Sequence, residues 1–196
     1  MLTMLGFDRA RRKPNAHDKQ HFAYRMHDAG TAIRFIWGDR NMNLLTLDNP
    51  VFRYFAVAAA LLIVKMMSQG WITVFRMLKV SGGFRYPEDA RQSPTNPHPS
   101  PTQLLPNEYV ERSRRMHGND VENVPLFLTV GLLYVCTAPS EVVALGLFSV
   151  YALSRFAHFY VVLAARSHEA RAALWAVGSV IIYVMAGAVI WSVFRH

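Results

Sequence analysis

The chain alternates four long apolar stretches with polar ones. Residues 54–75 carry a single charge, Lys65, and residues 124–140 carry none. Residues 142–165 carry only Arg155, and residues 172–194 carry no charge. A bilayer core of about 30 Å needs about 20 mostly apolar residues in a helix. Three of the stretches meet that length, and the second reaches it only if its helix begins earlier, in polar sequence. Lipid cannot satisfy backbone N–H and C=O groups, so each spanning stretch is expected to be helical.

Local punctuation sets the boundaries. Ser81-Gly82-Gly83 breaks the first apolar run, and six prolines between Pro87 and Pro106 exclude a continuous helix there. Asn107 followed by Glu108 is a good helix start. Pro139-Ser140 closes the second run, and the polar residues 166–169 separate the third from the fourth. The pattern predicts four membrane-spanning helices at 51–78, 107–137, 141–165 and 170–194. The fold class is therefore an all-α, four-helix transmembrane bundle covering residues 49–196. An even number of spans puts both chain ends on one side. Lys and Arg are abundant in both the N-terminal region and the first loop, so the positive-inside rule does not orient the bundle.

Composition supports this picture. Hydrophobic residues make up 52% and charged residues 17% of the chain, against about 25% charged in an average soluble domain. A soluble bundle with four such stretches would have too little polar surface. The net charge is +8, but the basic residues lie mostly outside the apolar stretches and do not alternate with stacking aromatics. That argues against nucleic acid and for headgroups and small anions. Cys136, the one cysteine, sits in an apolar stretch and is expected to serve packing rather than as a nucleophile.

Residues 1–48 form a basic extension, expected to be flexible. Asp8, Asp18, Asp28, Asp39 and Asp48 do not fit a transit peptide, and no apolar core of a secretory signal is present. His17, His21 and His27 lack the partners that would complete a metal site, so no metal is expected.

The chemistry concentrates in Glu111-Arg112-Ser113-Arg114-Arg115-Met116-His117-Gly118-Asn119-Asp120-Val121-Glu122. On a helix, Arg112, Arg115, Asn119 and Glu122 step by three, four and three and share one stripe. That stripe is either a binding site reaching into the bundle or a juxtamembrane helix with ordinary ion pairs. Lys65, Arg155 and His158 lie at membrane depth, with Arg155 and His158 on one helix face. Lys65 has two candidate structural partners, Asp120 and Glu122, and Arg155 is similarly suited to neutralise a buried carboxylate.

The twelve-residue segment resembles the signature of the MAPEG family, the membrane-associated proteins of eicosanoid and glutathione metabolism. Ile63-Val64-Lys65-Met66-Met67 resembles the family's first helix. Phe84-Arg85-Tyr86-Pro87-Glu88-Asp89 resembles its loop motif, and Arg155-Phe156-Ala157-His158 its third-helix Arg-x-x-His. Arg171 stands at the expected distance downstream. The likeness spans about residues 49–194. Arg114-Arg115 and Glu122-Asn123 bring the chain nearest to the microsomal glutathione transferase branch, with the prostaglandin E synthase branch second.

The resemblance implies a homotrimer that takes glutathione as co-substrate between neighbouring subunits. Arg112, Arg115, Asn119, Glu122 and His158 are then expected to hold glutathione, with Arg76 a looser match displaced by one position. Arg171 is expected beside the thiol, and Asp89 in the loop matches an aspartate thought to assist chemistry. The implied activity is conjugation of glutathione to lipophilic electrophiles, with lipid-hydroperoxide reduction. Prostaglandin isomerisation and a non-catalytic lipid-binding scaffold are the alternatives. The implied location is the endoplasmic reticulum membrane, or else the mitochondrial outer membrane. Several positions depart from the family. Gly118 stands where the prostaglandin branch has arginine, Val162 where a tyrosine is usual, Ala172 after the fourth-helix arginine, Trp175 for a tyrosine, and Pro125 one place early.

Overall fold

A computed structural model describes residues 44–195. The expectations for residues 1–43 lie outside the described residues. The described chain is all helical apart from loops: α1 Pro50–Val80, α2 Glu108–Cys136, α3 Glu141–Leu163 and α4 His168–Arg195. Short 3-10 turns, Pro87–Ala90 and Pro101–Leu104, occupy the long α1–α2 loop.

The boundaries follow local chemistry. The Asn49 side chain accepts from Val51 N–H at 3.0 Å, and Pro50 fills the first helical position, where no N–H is needed. Asn107 caps α2 by accepting from Tyr109 N–H at 3.0 Å. At the end of α1, Ser81 takes the left-handed conformation, with φ 45°, and its N–H returns to Leu78 O. Gly83 follows at φ 70°, where a Cβ would press on Val110 and Asn107 at 3.1–3.2 Å. The proline-rich loop is then tied by a reciprocal amide pair. Asn96 Nδ2 donates to Gln103 Oε1 at 2.8 Å, and Gln103 Nε2 donates to Asn96 Oδ1 at 2.9 Å.

The middle of the bundle is α2 and α3, which pack on each other and on both outer helices, α1 and α4. Its core is aromatic. Phe127 stacks on Tyr151 with ring centroids 4.1 Å apart, and Phe148 meets Phe127 edge-on at 6.0 Å. Phe55 of α1 enters over Gly131, where a Cβ would lie 2.7 Å from its ring. Pro125 lies within α2, and the helix continues through it. Apolar residues such as Trp71, Val142, Tyr183 and Trp191 face outward, the arrangement lipid rather than water favours.

One expectation needs qualification. Three helices, α1, α3 and α4, are long and apolar enough to cross a membrane. The polar first half of α2 leaves it out of that set. Residues 124–136 supply about 20 Å of apolar helix at about 1.5 Å per residue, short of the roughly 30 Å core. Its polar half is instead turned partly into the bundle, where other side chains satisfy it.

Candidate functional site

The antiparallel order brings the start of α2, the end of α3 and the start of α4 to one end of the bundle. A cleft of about 330 Å³ opens there, lined by Glu108, Arg112, Arg115, Asn119, His158, Val162 and Arg171. The three-four stepping on α2 gives Glu108, Arg112, Arg115 and Asn119 a common face. His158 and Val162, one turn apart, supply the α3 wall, and Arg171 comes from the first turn of α4.

Within the cleft, Glu108 Oε1 accepts from both Arg112, at 3.1 Å, and Arg115, at 2.5 Å. Arg112 also donates to Val162 O at 3.4 Å, which links α2 to the end of α3. Arg171 Nη1 donates to Arg166 O at 2.7 Å, leaving the rest of its guanidinium to the cleft. Three arginines therefore converge on one concave surface with a single carboxylate among them. Arginine forks in that setting suit carboxylate groups.

Beneath the cleft lies a buried polar cluster. Asp120, Lys65 and Arg155 are 1%, 5% and 0% exposed. Asp120 Oδ2 accepts from Lys65 at 2.7 Å and from Gln69 Nε2. Asp120 Oδ1 accepts from Arg155 Nη2 at 3.1 Å and Nε at 3.3 Å. Lys65 also donates to Arg155 O at 3.1 Å. Of the two partners open to Lys65, the fold selects Asp120. Arg155 Nη2 reaches the cleft itself, donating to Asn119 Oδ1 and lying 3.4 Å from His158 Nδ1. On the opposite flank, Gln69 Oε1 meets His117 Nδ1 at 3.2 Å.

The structure thus gathers Arg112, Arg115, Asn119, His158 and Arg171 in one place. It does not bring Glu122, Arg76 or Asp89 there. Glu122 ends the same α2 stripe but is exposed, beyond the cleft lining. Arg76 is buried and fastens the end of α1 to the start of α2, donating to Tyr109 O at 2.7 Å with its Cζ 4.2 Å from the Tyr109 ring centroid. Asp89 sits exposed in the first 3-10 turn of the loop. Arg114, next to Arg115, faces away and locks the loop by pairing with Glu111 and donating to Gly83 O at 2.6 Å.

Two participants are not evident from local sequence. Glu108 reads as the residue after a cap, although its spacing of four and seven to Arg112 and Arg115 carries the signal. Gln69, one turn beyond Lys65, is the other.

A helical bundle with apolar outer faces, three helices long and apolar enough to cross a membrane, and an arginine-lined cleft at one end defines an integral membrane protein. The chain belongs to the MAPEG family, whose model matches residues 54–191. Prostaglandin E synthase of Homo sapiens is 29% identical over 152 residues, covering 78% of this chain and 96% of that protein. Microsomal glutathione S-transferase 1 of Rattus norvegicus is 35% identical over 112 residues, 57% of this chain and 71% of that protein. The Sus scrofa counterpart is 36% identical over 114 residues, with the same coverage.

Proposed function

We propose that the protein is a membrane-bound glutathione transferase, acting as a homotrimer of the endoplasmic reticulum membrane on lipophilic electrophiles. The observation that carries this reading is the convergence of Arg112, Arg115 and Arg171 with Asn119 and His158 in one cleft. Glutathione has two carboxylates, an amine and a thiol. Arg112 and Arg115 supply forks for the carboxylates. Asn119 supplies an acceptor for the amine, and exposed Glu122 is available to a ligand shared with a second copy of the chain. Arg171 stands beside the sulfur. A free thiol has a pKa of about 8.5, and a neighbouring cation favours the thiolate.

The reaction follows from that placement. The thiolate sulfur attacks an electrophilic carbon, the carbon–halogen bond breaks, and halide leaves with the electron pair. The thiol proton has already passed to solvent. With a lipid hydroperoxide, sulfur attacks the terminal oxygen, the O–O bond breaks, and the alkoxide takes a proton to become the alcohol. A second glutathione then reduces the sulfenic acid to give the disulfide and water. Proximity and thiolate stabilisation supply most of the acceleration.

A prostaglandin E synthase-type isomerase is the second reading, favoured by the near-complete coverage of that human relative. Val162 weighs against it, because an apolar side chain lines the cleft where the family usually places a phenol. Purified protein incubated with glutathione and a chlorinated aromatic electrophile is expected to release chloride and form the thioether. Absence of turnover there, with isomerisation of a prostaglandin endoperoxide present, transfers the assignment to the second reading. Absence of both leaves a lipid-binding scaffold.

Glu108 adds a smaller prediction. Its carboxylate occupies the two guanidinium groups that a ligand carboxylate would take. Glu108→Gln is expected to tighten glutathione binding by about two- to fivefold, in line with the up to ~1 kcal/mol of an exposed ion pair. Weaker binding in a titration calorimeter would instead make Glu108 the acceptor for the ligand amine.

A further inference from the structure

The buried cluster holds two cations, Lys65 and Arg155, around one anion, Asp120. Arg155 alone balances Asp120 in charge, and Gln69 Nε2 already donates to the carboxylate oxygen that Lys65 takes. Lys65 is therefore the surplus charge. Its Nζ has gained only a backbone carbonyl and the Phe156 ring, 5.5 Å away, in addition to the shared carboxylate. A lysine buried at membrane depth on such terms is costly to retain.

Its position suggests what it does. Asp120 is the chain neighbour of Asn119, which lines the cleft, and Arg155 bridges to both Asn119 and His158. The charged and titratable groups facing this region are Glu108, Arg112, Arg115 and Asp120 from α2, with His117 through Gln69. Arg155 and His158 come from α3, and Arg171 from α4. Of the cleft cations, Arg112 and Arg115 are half offset by Glu108 and open to solvent, so their fields are screened. The charge on Lys65 is enclosed, and interactions across a low-dielectric interior decay less.

We infer that Lys65 is an electrostatic positioning residue of the cleft, whose surplus buried charge stabilises the anionic sulfur of bound glutathione without touching it. The inference rests on the glutathione reading above, and the experiment separates the two. Full-length protein in detergent, as parent, Lys65→Met and Lys65→Arg, is first tested for glutathione binding by equilibrium dialysis. No binding to the parent removes the glutathione reading itself. With binding established, the ultraviolet difference signal of the bound thiolate is followed against pH.

Lys65→Met is expected to fold, to bind S-methylglutathione within about twofold of the parent, and to hold at least about threefold less thiolate at neutral pH, the scale of one unit charge acting through a protein interior. Lys65→Arg is expected to keep the parent's midpoint. A parental midpoint in folded Lys65→Met overturns the inference, as does an Arg variant that behaves like the Met variant. Failure of both Lys65→Met and Lys65→Gln to fold overturns it as well, because Lys65 would then belong to the structure alone.

Discussion

Replacing Arg171 by leucine is expected to cut glutathione turnover at least tenfold while leaving a folded protein that still binds glutathione weakly. Arg171 is half-buried in the first turn of α4 and lines the cleft. One of its nitrogens is committed to Arg166 O at 2.7 Å, which holds the guanidinium at the helix start. That end of a helix favours anions through its free N–H groups and its dipole. The Arg171 guanidinium fork can hold a thiolate where a neutral side chain cannot. Losing it should raise the thiol pKa of bound glutathione by about one unit, or about 1.4 kcal/mol, which is a factor of ten. The thiolate difference spectrum at neutral pH should fall with the rate. Arg171→Lys should recover only part of both, because a compact ammonium lacks the planar fork. The competing role is a membrane-edge anchor whose side chain reaches lipid headgroups. Normal thiolate formation in the leucine variant would assign Arg171 to that role.

The helices were legible in the sequence because lipid-facing segments and their stops are both written locally. The expected span 51–78 is observed as Pro50–Val80 and 107–137 as Glu108–Cys136. Asn49-Pro50 and Asn107 mark the starts by side-chain chemistry that needs no tertiary partner. The end of α3 is less readable. There Ala165 adopts φ 55°, a left-handed turn taken by a residue with no preference for it, and the expected end at 165 became Leu163. The site was legible where it depends on one helix. Arg112, Arg115 and Asn119 share a face by periodicity alone. Choices between helices were not. Asp120 and Glu122 stand two residues apart and so point in very different directions, and only the placement of α1 and α3 decides that Asp120 receives Lys65 and Arg155. Arg76 illustrates the same limit. A position near the expected arginine says nothing about Tyr109, which captures it across the α1–α2 contact.

The largest effect on stability is expected at Asp120. Its carboxylate is the shared anion of two buried cations, and both of its oxygens are occupied. Asp120→Asn preserves shape and keeps one acceptor oxygen, so packing changes little. It leaves Lys65 and Arg155 facing each other with no counter-charge, and Arg155 already has one nitrogen, Nη1, with no hydrogen-bond partner. Removing one member of a buried ion pair typically costs about 3–5 kcal/mol, because the remaining charge is left without compensation. Two stranded cations place this site at the upper end of that range, a large share of the roughly 5–15 kcal/mol that holds a domain folded. Asp120→Asn should therefore melt far below the parent in detergent, or fail to yield folded protein. Combining it with Lys65→Met removes one of the stranded charges and should recover part of the loss, whereas adding Glu108→Gln should recover none. A double-mutant cycle read by thermal unfolding measures this coupling directly. An Asp120→Asn protein that melts with the parent would show that the Asp120 carboxylate is not what compensates Lys65 and Arg155.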